Sequence, residues 1–305
     1  MRRRKLQNRQ RSPGRGSAIL RPMKTNILKA FHRLTLEHER NLDVYTSRSP
    51  NRINSIGEAL EEYVKDLLCD TTKETDATRK DAKYKKHFSY LGNQHNPPDL
   101  IITGGDAIEV KKAEKAGRLA LNSSYPKDKL HADNPLISEA CRTCEDWTVK
   151  DVFHVVGIVP NKRIQSLWFV HGECYAADRK VYERIKETIS TGVSSIGGVE
   201  FAETNEVGRV NRVDPLGHTH LRIRGVWEIE GPDRAFGSLL PEQSTASFTA
   251  TVVVSREKYK SFPQADRFAL EKGHSRSIEV ANVEIKAPNN PAKMMSAVVL
   301  RYMEK

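Results

Sequence analysis

The sequence predicts an α/β protein with a β-rich C-terminal part, and three observations carry that expectation. Helix-like and strand-like stretches alternate through the front half. From Leu221 onward the texture turns to strands. The chain has 305 residues, 38% of them hydrophobic, enough for one elaborate α/β domain or two small ones. A chain of this size buries a core without disulfides or metals, and four cysteines make no disulfide framework. No apolar run reaches the ~18–20 residues of a membrane span. The basic N-terminus is not followed by the apolar segment of a secretory signal. The expectation is a cytoplasmic protein that has no business with a membrane.

Residues 25–38 read as the first helix and residues 45–55 as a polar loop with Pro50. Ser55 is placed to cap the next helix, IGEALEEYVKDLLCD, with Glu58 three residues on to complete a capping box. Ile56, Leu60, Tyr63, Val64 and Leu67 share one face of it. Residues 70–86 are charged and loop-like. Short strands are predicted at His87–Leu91, Asp99–Thr103, Ala107–Lys112, Val152–Val159 and Leu167–His171, then a helix near Asp178–Ile189. Residues 191–220, rich in Gly, Ser and Thr, read as a long connection. LRIRGVWEIE, SFTATVVVS, VEIKAP and AVVLRYM are the later strands.

Charge is distributed unevenly. Of a formal net charge of +11, residues 1–24 supply nine Lys and Arg with no acid, so the rest of the chain is close to neutral. The segment reads either as an arm lying on nucleic-acid phosphates, or as a solvated tail ahead of a natural start at Met23.

The segment NPPDLIITGGDAIEVKK, residues 96–112, carries the chemistry. Asp99 opens an apolar strand, Gly104 and Gly105 turn the chain, and Glu109, Val110 and Lys111 lie on the return strand. Strand alternation points Glu109 and Lys111 one way and Val110 the other. A two-residue Gly-Gly turn would pair Asp99 with Val110 and put it on the wrong face. A three-residue loop, Gly104-Gly105-Asp106, would pair Asp99 with Lys111 and Ile101 with Glu109. Asp99 and Glu109 would then be diagonal neighbours on one face, roughly 7–8 Å apart. Two carboxylates and an ammonium on one face suit phosphodiester hydrolysis. The acids bind Mg²⁺ through oxygen, the Val110 carbonyl adds a ligand, and the lysine orients or deprotonates water. A bare Glu-x-Lys is weak evidence: Glu284-Ile285-Lys286 is a decoy without Pro-Asp on a preceding strand. A surface hairpin with a salt bridge is the alternative.

The block Pro98-Asp99, then Glu109-Val110-Lys111, resembles the PD-(D/E)xK nuclease motif. Longer stretches, at residues 51–68, 88–112, 119–130, 141–147 and 168–177, are similar in order to the NgoPII family of type II restriction endonucleases, covering roughly residues 23–190. The resemblance implies a restriction-endonuclease-like core, a mixed central sheet flanked by helices. It implies a Mg²⁺-dependent enzyme, with Mn²⁺ as a substitute. Its substrate would be double-stranded DNA, cut at a short palindrome, GGCC, to leave 5′-phosphates. By the motif match, Asp99 and Glu109 are metal ligands and Lys111 is the catalytic lysine. A further acid is expected from the first core helix, Glu61 or Glu62, with Glu61 chosen. A cognate DNA methyltransferase would act on the same site.

A palindrome has a two-fold axis, so a homodimer with one active site per strand is expected. The expected organisation is a tail at 1–22, a nuclease core at 23–190, and a β-rich region at 191–305 that serves dimer contact, base reading or both. Arg52, Asn54, Asn93, Gln94 and Asn96 flank the catalytic elements in loops and are candidate DNA contacts. Asn122, Ser123, Ser124 and Lys127 form a second candidate set in a polar loop; a cap and turn is the competing reading. Cys141 and Cys144 raise zinc, with His171 and Cys174 as a distant second pair, against reduced, partly buried thiols. A repair or junction nuclease and a non-catalytic nucleic-acid-binding protein stand as the other functional readings.

Overall fold

The computed structural model describes residues 24–48, 55–93, 96–196, 200–201, 207–216, 218–239, 246–272 and 278–304. The basic tail, Arg52, Asn54 and Gln94 lie outside them. α1 (Ile27–Leu34) starts on Asn26, whose side chain accepts from the Lys29 amide, and it buries Ile27, Leu28, Phe31 and Leu34. It is shorter than expected because its last carbonyls are already taken by the Thr35 amide. α2 (Asp43–Arg48) forms where a loop was expected. α3 (Ile56–Cys69) opens on the Ser55–Glu58 capping box, with reciprocal bonds of 3.2 and 3.1 Å, worth about 1 kcal/mol. Leu60, Tyr63, Val64 and Leu67 turn into the core from it.

The reading of residues 70–86 as a loop is overturned by α4 (Ala77–His87). Asp76 caps the Thr78 and Arg79 amides, and Lys85, Lys86 and His87 sit at the helix's negative end. Only Tyr84 is buried. Capping, propensity and charge build this helix without an apolar stripe for periodicity to detect.

β1 (Phe88–Asn93), β2 (Asn96–Ile102) and β3 (Ala107–Ala113) form an antiparallel meander. After β4 (Arg118–Asn122), β5 (Lys129–His131) and α5 (Glu139–Thr143), the long β6 (Val149–Ile158) pairs parallel to β3. β7 (Ser166–His171) returns antiparallel to β6 and runs into α6 (Gly172–Tyr175) and α7 (Arg179–Ser194). The stretch expected as a plain connection holds β8 (Glu200–Phe201) and β9 (Gly208–Asn211). With β10 (Leu221–Ile223) these make a small three-stranded sheet. β11 (Trp227–Glu230) pairs with β4, and α8 (Pro232–Ala235) follows.

The chain then re-enters the main sheet. β12 (Phe248–Ser255) lies parallel to β7; α9 (Arg256–Ser261) and α10 (Gln264–Glu271) intervene; β13 (Ile278–Ala287) and β14 (Asn290–Glu304) form a long hairpin. The nine-stranded sheet runs β1-β2-β3-β6-β7-β12-β14-β13, with β5 on β6. β12, β13 and β14 therefore continue the sheet of the front half, while the small β8–β10 sheet lies wholly beyond residue 190. One face packs Leu100, Ile108, Val110, Phe153 and Val252 against α1 and α3. The other carries Val156, Trp168, Val170 and Val253, covered by Leu119 of β4 and Phe236. This is the mixed, helix-flanked sheet of a restriction-endonuclease-like fold. Among the described residues no helix is long and apolar enough to cross a membrane.

Candidate active site

The hairpin that carries the acids closes through a three-residue loop set one residue earlier than the expected one. Ile102 donates its amide to the Asp106 carbonyl at 2.9 Å, so Thr103, Gly104 and Gly105 form the loop. Leu100 pairs with Ile108, and continuing that register sets Asp99 opposite Glu109, not Lys111. The shift is two residues, so the parity of the side chains is unchanged. The ladder stops short of Asp99, whose Oδ2 accepts the Val110 amide at 2.6 Å. Val110 is buried in the core, while Glu109 and Lys111 alternate to the opposite side of β3.

Glu109 is 5% exposed and does not stand alone. Lys127, 2% exposed, donates to Glu109 Oε1 at 2.6 Å and to Ser124 Oγ at 2.8 Å. His154, paired with Glu109 across β3 and β6, places Nδ1 3.9 Å from Oε2. His154 Nε2 donates to the Lys127 carbonyl at 2.8 Å, which fixes its tautomer. Burial would push the Glu109 carboxyl up, but the Lys127 ammonium, with His154 and Lys111, brings it down to about 2. Burial in turn holds His154 below the usual histidine range.

Asp99 is the opposite case. Burial pushes its carboxyl up to about 6; the Lys111 ammonium pulls against that, while Glu61 and Glu109 add to it. Among the described residues no carboxylate lies within 4.0 Å of the Lys111 ammonium. Glu61 sits on α3 near enough to act on Asp99, with its own carboxylate 2.6 Å from Lys65. Glu62 turns elsewhere: it accepts from Tyr84 at 3.0 Å and lies 3.2 Å from Lys80, tying α3 to α4.

The remaining sequence candidates fall into separate places. Asn96 donates to the Leu136 carbonyl at 3.0 Å, and Asn93 pairs with it at the β1–β2 turn. Asn122 has a left-handed backbone, φ 54°, and pairs with Trp227. Ser123 and Ser124 follow, and Ser124 takes part in the Lys127 contact. Lys127 points inward at Glu109 and presents no ammonium to solvent. Cys141 and Cys174 are buried in different core clusters, and burial pushes the Cys141 thiol up to about 12. Among the described residues no three His, Cys, Asp or Glu side chains stand together at metal-holding distance, so the zinc reading gains no assembled ligand set.

Asp99 and Glu109 supply carboxylate oxygens and Val110 a carbonyl, the donor types a hard divalent cation takes. A carboxyl that burial pushes up to about 6, with two neighbouring acids adding to the effect, is a place short of positive charge, which such an ion would relieve. The sequence reading missed His154 altogether. Its link to Glu109 exists only through parallel pairing of β3 with β6, to which no local motif points.

The NgoPII restriction endonuclease model matches residues 25–286. The chain belongs to the NgoPII restriction endonuclease family. It is 43% identical over 258 residues to the type II restriction enzyme NgoPII of Neisseria gonorrhoeae, covering 84% of this chain and 92% of that one. No solved structure matches. As a member of the NgoPII family this chain is a type II restriction endonuclease, a site-specific nuclease of double-stranded DNA. The family match includes the hairpin of Asp99 and Glu109, the Lys127 loop and most of the C-terminal strands.

Proposed function

We propose that the enzyme hydrolyses phosphodiester bonds in double-stranded DNA at a short palindrome, with Mg²⁺ as cofactor, Mn²⁺ as substitute and 5′-phosphate products. GGCC is the target suggested by resemblance to the NgoPII family. The observation that carries the reading is Asp99 opposite Glu109 on one hairpin, with Lys111 on the same side as Glu109. Asp99, Glu109 and the Val110 carbonyl would hold the metal, with Glu61 at its margin. The ion supplies charge stabilisation on the phosphate and a more acidic bound water. Lys111 orients the attacking water and balances the carboxylates. Lys127 and His154 keep Glu109 ionised and fixed. Two copies related by a two-fold axis would cut the two strands of the palindrome, and a methyltransferase of the same specificity would protect the host genome.

Incubation of the purified protein with sequenced plasmid and Mg²⁺, followed by mapping of fragment ends, tests this. Discrete fragments from one short palindrome are expected. Asp99→Ala and Lys111→Ala are each expected to lose on the order of 10³-fold in rate, the kinetic equivalent of several kcal/mol. Undiminished cutting by both variants would remove the site from this hairpin.

A further inference from the structure

The β9–β10 ribbon, residues 208–223, is not used by the catalytic hairpin, and its two faces differ sharply in chemistry. On one face Val210 is buried and Gly208 meets Val193 of α7, where an added Cβ would lie 2.9 Å from that side chain. On the other, Arg209 and Arg222 are directly opposed across the strands, and both are exposed. In the neighbouring rung Asn211 and His220 meet at 3.1 Å. The neighbouring β8 brings one acid, Glu200, alongside Asn211 by register.

The face is held in place. A one-residue slip would turn the arginines into α7 and Val210 out to solvent. Asp214 accepts the Leu216 amide at 2.9 Å and the Thr219 amide at 2.6 Å, bracing the connection between the two strands. The ribbon is joined through β11 to the strand that precedes the Lys127 loop. The chain leaves β10 for Trp227, which pairs with Asn122 and sets its ring 6.2 Å from Tyr125. That same loop carries Lys127 to Glu109, 2.6 Å away.

We propose that the β9–β10 ribbon is the base-reading element of this enzyme, entering the major groove with Arg209 and Arg222 directed at guanine edges. The inference rests on the DNA-cleaving function proposed above and adds to it the residues that set specificity. A two-stranded ribbon fits the major groove, and the guanidinium fork matches guanine O6 and N7, while Asn matches adenine. Arginine, not charge alone, is what such reading requires.

The test compares wild type with Arg209→Lys, Arg222→Lys and the double variant, which keep the charge and lose the fork. The probes are a short duplex carrying the site that wild type is mapped to cut and a duplex of the same composition with that site scrambled. Binding is measured without divalent metal, and the fragment pattern on plasmid is read with Mg²⁺. The lysine variants are expected to lose roughly tenfold to hundredfold in preference for the site duplex, with affinity for the scrambled duplex nearly unchanged, and to cut at additional, related sites. An unchanged preference and fragment pattern would overturn the inference. So would lysine variants that behave as wild type while Arg209→Gln and Arg222→Gln weaken both duplexes equally with a shallower salt dependence, since that marks phosphate contact alone. Wild type that cuts no duplex DNA would overturn the proposed function itself, a result distinct from either of these.

Discussion

Just before β3, Asp106 closes on the Lys258 ammonium of α9, which Asp151 of β6 also meets at 2.8 Å. Three residues along the same chain, Glu109 closes on the Lys127 ammonium at 2.6 Å. Both are dry contacts between acid and lysine at one sheet, yet they serve different ends. Around Lys258 one ammonium answers two carboxylates, and His171 lies 3.7 Å from Asp151 as a further partner. Burial would push Asp151 up, but His171 and Lys258 hold it well below the usual range. That cluster spends its charge on itself and ties α9 to the root of the catalytic hairpin. Around Glu109 the pairing is similar, but beside it Asp99 is held up near 6, and Lys111 has no carboxylate within ion-pair distance among the described residues. The contrast locates binding capacity: the Lys258 cluster pairs its charges internally, whereas the cluster proposed for catalysis keeps acid and ammonium unspent for a ligand.

Breaking the structural cluster should have the larger effect on stability. Lys258→Met leaves the buried Asp106 and the half-buried Asp151 without their ammonium, so a loss of about 3 kcal/mol is expected in denaturant unfolding. The loss should shrink between pH 7.5 and pH 5. Removing Lys258 raises the folded-state carboxyls of both Asp106 and Asp151, Asp106 being raised by burial already, so protonation offsets part of the loss as the pH falls. A loss independent of pH would mean that the contact is packing, not charge.

Lys127→Met tests whether the catalytic cluster is less dependent on its lysine. His154 and Lys111 also face Glu109, so a smaller loss, about 2 kcal/mol, is expected. Added Mg²⁺ should raise the melting temperature of this variant more than that of wild type, because an ion bound by Glu109 replaces the missing charge. An equal response in both proteins would separate Lys127 from the proposed metal site.

Asp99→Asn should act in the opposite direction. The Asp99 carboxyl moves from 3.8 to about 6 on folding, so its ionised form opposes folding. That penalty is full above about pH 6 and gone below about pH 4. The asparagine keeps an oxygen for the Val110 amide, so the metal-free variant should be more stable by about 1–3 kcal/mol at pH 8, with no gain at pH 4, while cleavage is lost. A destabilised variant at pH 8 would show that Asp99 is a structural acid like Asp151.

Much of the hairpin was legible in the sequence because its determinants are local. Alternation of Glu109, Val110 and Lys111 follows from strand geometry whatever surrounds it, and the Ser55–Glu58 box follows from two residues three apart. The register of Asp99 was less legible. Thr103 replaces Asp106 in the loop, and turn composition alone does not decide which three residues close it. α4 escaped because a surface helix rich in Lys and Arg carries no apolar period. Lys127 stood out as a polar loop residue, but the direction of its side chain did not, since a lysine beside Ser124 serves equally to touch phosphate or to satisfy a buried acid.

By itself the sequence determined the family, the α/β alternation, the acids and lysine on one hairpin, and the cap that starts the helix bearing Glu61. These depend on neighbours a few residues apart or on long stretches of matching order. Only the tertiary structure decided that Glu109 meets Lys127 and His154, that the C-terminal strands extend the same sheet, and that Arg209 faces Arg222. Those relations come from strands and loops brought together across long sequence separations, where burial and charge select the partner and no local pattern records the choice.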